Sequence, residues 1–197
     1  NLKNKQTKRL YQSTEANKLE NIIDILDAKK GEILVRVESK NEVPNYYVKN
    51  IKRKKAAIAL TRYENPYKSI QNVHKEVISY KRNDGLDLSG TLYLPTNYEK
   101  GKKYPMILWA YPREYKDKSS ASQSTASSNQ FTRPSPGSPI YWVTRGYVVL
   151  HNAAFPIIGE GNDEPNDSFR SQLVANGRAA IDAVETLGYI DRDRVAV

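Results

Sequence analysis

The sequence predicts a mixed α/β fold: a mostly parallel sheet with helices on both faces, preceded by a small all-β blade. Three observations carry this. Between Asn21 and Leu60, short alternating apolar stretches recur at spacings near ten residues, separated by turn signals. The tripeptide Asn83-Asp84-Gly85 then marks a hairpin. Beyond it, apolar runs at 105–111 and 147–150 show no alternation, as strands buried on both faces of a parallel sheet do, and helical patterns separate them.

Composition narrows the class. Of 197 residues, 39% are hydrophobic and 27% charged, which describes a soluble globular chain long enough for a sizeable core. No apolar run approaches the roughly 18 residues of a membrane span. The absence of Cys excludes disulfides, thiol catalysis and Cys-based zinc sites. Asn1-Leu-Lys-Asn-Lys has neither an initiator Met nor an apolar signal core and reads as an interior excerpt, showing neither export nor retention. The net charge of +9 is uneven, with no Lys after Lys118. A basic half attracts nucleic acid or acidic substrates. Lysines in turns such as Lys29-Lys30 and 52–55 have a simpler reading as solvated positions that discourage edge pairing.

Residues 1–20 are polar, with Leu10 and Tyr11 as the only anchors. Strands are expected at 22–26, 33–37, 45–48 and 57–60, forming an antiparallel meander. Four such strands make one blade of a β-propeller, although a sandwich fragment reads alike. One blade cannot bury both faces and needs neighbours. Residues 62–67 carry an Asn-Pro break and open a linker ending near His74, so the predicted domains are 1–74 and 75–197.

In the second region the hairpin strands are 76–82 and 86–94, followed by the buried strand 105–111 and a long Ser-rich loop, 112–137. Ser138-Pro139 starts a short helix ending at Gly146, and 147–150 is a second buried strand. Asn166 or Asp167 is expected to cap a long helix whose stripe is Phe169, Leu173, Ala180, Val184 and Leu187, with Gly188 as its C′ residue. A polar turn and the apolar Val195-Ala196-Val197 then read as the opening of another buried strand. A hairpin leading into a parallel sheet opens the α/β-hydrolase fold, in which the strand from Arg194 would turn into the Gly-x-Ser-x-Gly nucleophile elbow.

Three stretches carry a family resemblance. They are Tyr80-Lys-Arg-Asn-Asp-Gly-Leu-Asp-Leu-Ser-Gly-Thr-Leu-Tyr-Leu-Pro95, Lys102-Lys-Tyr-Pro-Met-Ile-Leu-Trp-Ala-Tyr-Pro112 and Leu187-Gly-Tyr-Ile-Asp-Arg-Asp-Arg-Val-Ala-Val197. Over about 60–197 the chain resembles the prolyl oligopeptidase family of serine peptidases, an N-terminal β-propeller followed by an α/β-hydrolase domain. Trp109-Ala-Tyr-Pro-Arg-Glu-Tyr115 and Asn152-Ala-Ala-Phe-Pro156 are most similar to its glutamyl-endopeptidase-like branch.

The resemblance implies acyl-enzyme hydrolysis of short peptides, no cofactor and no metal. It places the Ser-Asp-His triad beyond Val197, so this chain alone is expected to hydrolyse nothing. The required partners are a peptide substrate and the remainder of the same polypeptide; neither nucleic acid nor membrane is implied. Family members of this type are often exported in bacteria, which gives the expected location. By alignment on Lys102-Lys-Tyr-Pro, Tyr111 takes the position whose phenol donates to the oxyanion; an ordinary strand-end Tyr is the alternative. Pro112-Arg113-Glu114-Tyr115 replaces the small Gly-containing stretch of dipeptidyl-peptidase members. Arg113 is a candidate reader of a substrate carboxylate, or else an internal partner of Glu114 or Asp117. Residues 152–155 replace the Asp and Arg of other members, so nothing carries over there.

His74 and His151 read as ordinary polar or packing residues. Gly159-Glu160-Gly161 is too short and wrongly placed for a phosphate loop. Glu160, Asp163, Glu164 and Asp167 crowd one loop but lack the spacing of a hard-cation site and read as solvated. Two other classes stay open: an α/β-hydrolase acting on esters or acyl groups, and a non-catalytic binding module resting on the basic half.

Overall fold

A computed structural model of the chain describes residues 6–53, 55–121 and 127–197. The chain forms two compact units, the first running to Pro66 and joined by Asn129–Thr132, the second made of Tyr67–Ser128 and Arg133–Val197.

In the first unit, β1 (Leu19–Asp27), β2 (Glu32–Glu38), β3 (Asn45–Asn50) and β4 (Ile58–Ala59) form an antiparallel sheet in sequence order. The β1–β2 turn closes on Gly31, whose φ of 74° suits glycine, and whose N–H donates to the Asp27 carbonyl at 2.8 Å. Alternation in β2 buries Ile33 and Val35 on one face. The β1 run Ile22-Ile23-Asp24-Ile25-Leu26 does not alternate, and register shifts interrupt its pairing; about half of each of its four apolar side chains stays exposed. Of the two expected N-terminal anchors, Tyr11 donates its hydroxyl to Glu20, whereas Leu10 is 72% exposed and anchors nothing. Asn45 pins the exit of the unit, accepting from the Thr61 hydroxyl at 2.8 Å and the Tyr63 N–H at 2.7 Å. The buried Glu38 carboxylate accepts from Arg36 and from the Phe131 N–H at 2.8 Å, so that part of the Ser-rich segment belongs to this unit.

The second unit holds a five-stranded sheet in the order β5-β6-β8-β7-β9, with β5 (Lys75–Lys81), β6 (Asp87–Tyr93), β7 (Tyr104–Tyr115), β8 (Val148–Ile158) and β9 (Ile190–Ala196). The β5–β6 hairpin and the short β6–β8 pairing are antiparallel, whereas β7 lies parallel to β8 and β9. Of the stretch read as a linker, Tyr67, Ile70 and Val73 pack in this unit with Tyr93, Ile140, Val143 and Val149.

Alternation distributes the sheet residues to two cores. Leu92, Met106, Leu108, Val148 and Leu150 face the long helix, and Tyr93, Ile107 and Val149 face the 3-10 helix Pro139–Arg145, so helical segments cover both faces. That 3-10 helix begins at Ser138, whose hydroxyl accepts from the Ile140 N–H, and ends at Gly146 with φ 81°. Two helices complete the unit: the single turn α1 (Lys118–Ala121) and α2 (Phe169–Thr186).

The structure corrects several expected boundaries. β7 runs on to Tyr115, so the Ser-rich loop starts later than 112, and the exposure of Trp109 and Tyr111 shows that the run is buried on both faces only as far as Leu108. β8 continues to Ile158 because Asn152, at φ 51°, forms a bulge after which the ladder resumes at Ala153. β9 begins at Ile190 and takes the polar turn inside it: Asp191 accepts from the Asp193 N–H and Arg194 Nε, and only Ile190 of this strand is fully buried. Val197, expected in a buried strand, is exposed. A 3-10 turn, Pro165–Ser168, precedes α2, so Asp167 receives the Glu164 N–H within that turn instead of capping the long helix. In α2, Ala180 and Val184 are buried, but Leu187 is 46% exposed, and Asn176 takes a fully buried position that the apolar stripe omitted.

Candidate functional site

Side chains alternate along the carboxyl half of β7, setting Trp109, Tyr111 and Arg113 on one face. Tyr111 pairs with Ala154 of β8 and Arg113 with Pro156. On the other edge, β9 pairs with β7 as far as Ile107–Ala196 among the described residues. Tyr111 lies four residues further, about 13 Å along the strand, and is 80% exposed. The sequence-predicted pair thus stands two residues apart on one face of the same strand. Arg113 forms no ion pair with Glu114 or Asp117 among the described residues. Asp117 is engaged instead: the hydroxyls of Ser119 and Ser120 and the Ser120 N–H bond its carboxylate and hold its pKa at about 2.

The remaining polar candidates divide among structural partners. His151 sits mid-strand in β8 with its ring edge-on to Tyr93, 6.5 Å between centroids, and burial, aided by the charge of Lys75, pulls its pKa below the ordinary value. His74 lies 3.3 Å from Glu76. In the acidic loop, read as solvated, Glu164 pairs with Lys116 and Glu160 with Lys118. Among the described residues no three side chains are grouped to hold a metal ion, and no helix is long and apolar enough to cross a membrane.

Sequence reasoning missed a buried polar network behind the strand ends. Arg82, in the hairpin turn, is 4% exposed; its Nε and Nη2 fork onto Asp84 at 2.9 and 2.7 Å. The fork, with a smaller contribution from the Leu86 N–H, lowers the Asp84 pKa to about 2 against the effect of partial burial. Arg82 Nη1 donates to Asn176 Oδ1 at 3.0 Å and to the Pro156 carbonyl at 3.2 Å, and Asn176 Nδ2 donates to that same carbonyl at 2.9 Å. One turn earlier in α2, Gln172 accepts from the Ile158 N–H at 3.0 Å and donates to the Ile158 carbonyl at 2.8 Å. The available signal was Gln172-x-x-x-Asn176: two amides at i, i+4 on the face of a helix turned toward a sheet.

No family model matches the chain. It is 35% identical over 199 aligned residues to proteins named probable glutamyl endopeptidase, chloroplastic, from Oryza sativa subsp. japonica and Arabidopsis thaliana, covering 96% of this chain and 21% of each relative. The chain therefore spans about a fifth of the length of these curated relatives. Among solved structures, a dipeptidyl-aminopeptidase-IV-like protein from Bacteroides ovatus superposes with a TM-score of 0.61 at 22% identity, covering 90% of this chain and 25% of that one. Porphyromonas gingivalis dipeptidyl peptidase 4 gives a TM-score of 0.58 at 17% identity, with 89% and 24% coverage. Oligopeptidase B from Trypanosoma brucei gives 0.54 at 12%, with 93% and 25%. At these identities the structures show a shared fold, and the relatives at 35% extend the likeness along almost the whole chain. These structural neighbours are serine peptidases of the prolyl oligopeptidase family, and this chain shares the fold of a segment making up about a quarter of each.

Proposed function

We propose that this chain is part of a serine peptidase that hydrolyses peptide bonds in short peptides through an acyl-enzyme, with preference for cleavage after acidic residues. The first unit is then one propeller blade, and the second is the first half of an α/β-hydrolase domain. The nucleophile, base and carboxylate come from the remainder of a polypeptide of the relatives' size, and the 197 residues by themselves hydrolyse nothing. The observation that carries this reading is Tyr111: a phenol exposed at the carboxyl end of a central parallel strand, where open α/β sheets place their chemistry.

When a serine Oγ attacks the scissile carbonyl, its proton passes to the histidine base and the carbonyl oxygen becomes an oxyanion. Tyr111 donates its hydroxyl to that oxygen. Because β7 is laddered on β8 from Met106 to Tyr115, the donor is held before charge develops and needs little reorganisation. Arg113, two residues on and on the same face, offers a guanidinium fork to the carboxylate of an acidic substrate side chain. The name of the two curated relatives supports the acidic preference.

In the intact protein, Tyr111→Phe lowers kcat about 100- to 1000-fold with little change in KM; an unchanged kcat removes the assignment. Arg113→Ala erases the preference for glutamyl over alanyl substrates, and retained preference rejects Arg113 as the reader. Labelling of the intact protein, but not of this chain, by a fluorophosphonate tests the serine chemistry itself. Export from the cytoplasm belongs to the same proposal and is checked by cell fractionation.

A further inference from the structure

Among the described residues, the last residues of β8 have β7 on one side and no strand on the other, because β6 pairs with β8 only from Val149 to His151. Polar side chains supply the missing edge. Ile158 exchanges two hydrogen bonds with the Gln172 amide, as it would with a neighbouring strand, and the Pro156 carbonyl accepts from Asn176 and Arg82. The spacing permits this. Four helical residues rise about 6 Å, and two strand residues about 6.6 Å, so amides at i, i+4 on α2 meet carbonyls at i, i+2 on β8 running the opposite way. Gln172 is itself held, because Nε2 also donates to Ser168 Oγ at 2.7 Å. Asn176 is fully buried, with its oxygen bonded to Arg82, whose other arm is locked by Asp84.

The braced residues face the functional end of β7. Pro156 is in register with Arg113 and Ile158 with Tyr115, and the Gly159 N–H closes the ladder on the Tyr115 carbonyl at 2.9 Å. Without a third strand, this two-stranded extension would depend on a single ladder for its order. We infer that Gln172, Asn176 and Arg82 are positioning residues: they act as a substitute strand that fixes the β7–β8 extension and, through it, the aim of Tyr111 and Arg113. This rests on the role proposed above for those two residues.

The test is made on the intact protein with Gln172→Leu, which removes both bonds to Ile158 at a partly buried site, and with Gln172→Glu, which keeps an acceptor for the Ile158 N–H. Gln172→Leu is expected to speed amide exchange at 113–115 and 157–159 by about tenfold or more. It should also lower kcat on an N-blocked glutamyl p-nitroanilide peptide by about 10- to 100-fold, the range reached by misplacements near 1 Å, with KM within about twofold. Gln172→Glu should fall between the variant and the wild type in both readouts, and decides the matter alone if Gln172→Leu does not fold. Unchanged exchange overturns the brace, and faster exchange with unchanged kcat overturns its positioning role. If Tyr111→Phe leaves kcat intact, the oxyanion assignment falls separately, and exchange still reports on the brace.

Discussion

Replacing Asp84 by asparagine removes the charge from the only carboxylate that forks onto the buried Arg82 among the described residues. The Asp84 pKa falls from 3.8 to about 2. At about 1.4 kcal/mol per unit this corresponds to about 2.5 kcal/mol. The Asp84 side chain is 37% exposed, so solvent screening reduces the charge-linked contribution to about 1 kcal/mol. Leaving the Arg82 guanidinium, 3% exposed, beside neutral partners costs about 1 kcal/mol more, below the 3–5 kcal/mol of a fully buried pair because the substituted amide still accepts one hydrogen bond. The sum of about 2 kcal/mol lowers Tm by about 4–8 °C in a domain of this size at pH 7. Because the folded pKa is depressed, this stabilisation is complete above 3.8 and is lost as pH falls toward 2. At pH 3 its charge-linked part shrinks to about half. Differential scanning calorimetry of wild type and Asp84→Asn at pH 7 and pH 3 measures both gaps. A Tm change below about 1 °C at pH 7, or an undiminished gap at pH 3, refutes the account of the fork.

Two further perturbations probe the same frame. A Cβ on Gly159 would sit 2.4 Å from the Asp163 carbonyl oxygen and 2.7 Å from Pro165 Cδ, both rigid neighbours, so Gly159→Ala should destabilise by about 2–3 kcal/mol; an unchanged unfolding midpoint would show that the 159–165 loop yields freely. His151 has a depressed pKa because burial penalises its charged form, so the unfolded chain binds the proton more readily and stability declines as pH falls through 6.5. His151→Gln should flatten the stability profile there, and an identical slope in urea titrations at pH 7 and pH 5.5 would reject this.

The legible parts of the structure were those governed by local rules. Gly31, Gly85, Gly146 and Gly188 occupy positive φ at turns or helix ends, and Ser138 caps the helical segment it begins. The hairpin and the meander follow from turn chemistry and from alternation as clear as that of Ile33 and Val35. The errors have local causes as well. Asn152 breaks alternation by bulging, which concealed eight further residues of β8, and the turn at 191–194 lies within the limits of β9. Leu187 matched the stripe by spacing yet lies at the exposed end of α2, where the sheet no longer covers it.

At the site, motif resemblance offered Tyr111 and Arg113 as candidates, but the sequence put Arg113 in the loop after 111; their shared face follows only because β7 runs on to Tyr115. The brace behind them was invisible to that method. Arg82 meets Asn176 across 94 positions and Gln172 meets Ile158 across 14; each side chain read alone is an ordinary surface polar residue. Phe131 likewise reads as loop, although its N–H bonds the buried Glu38 across 93 positions.

The sequence by itself determined the meander, the hairpin, the first parts of β7 and β8 and the long helix, with most of the turns between them. Those properties depend on backbone conformation and periodicity within a few residues. Only the tertiary structure decided that β7 lies between β8 and β9, that Asn152 lets β8 run on, and that α2 completes the edge with side-chain amides. Such choices depend on long-range pairing, in which a buried polar group is tolerated only when a partner distant in the chain is delivered to it.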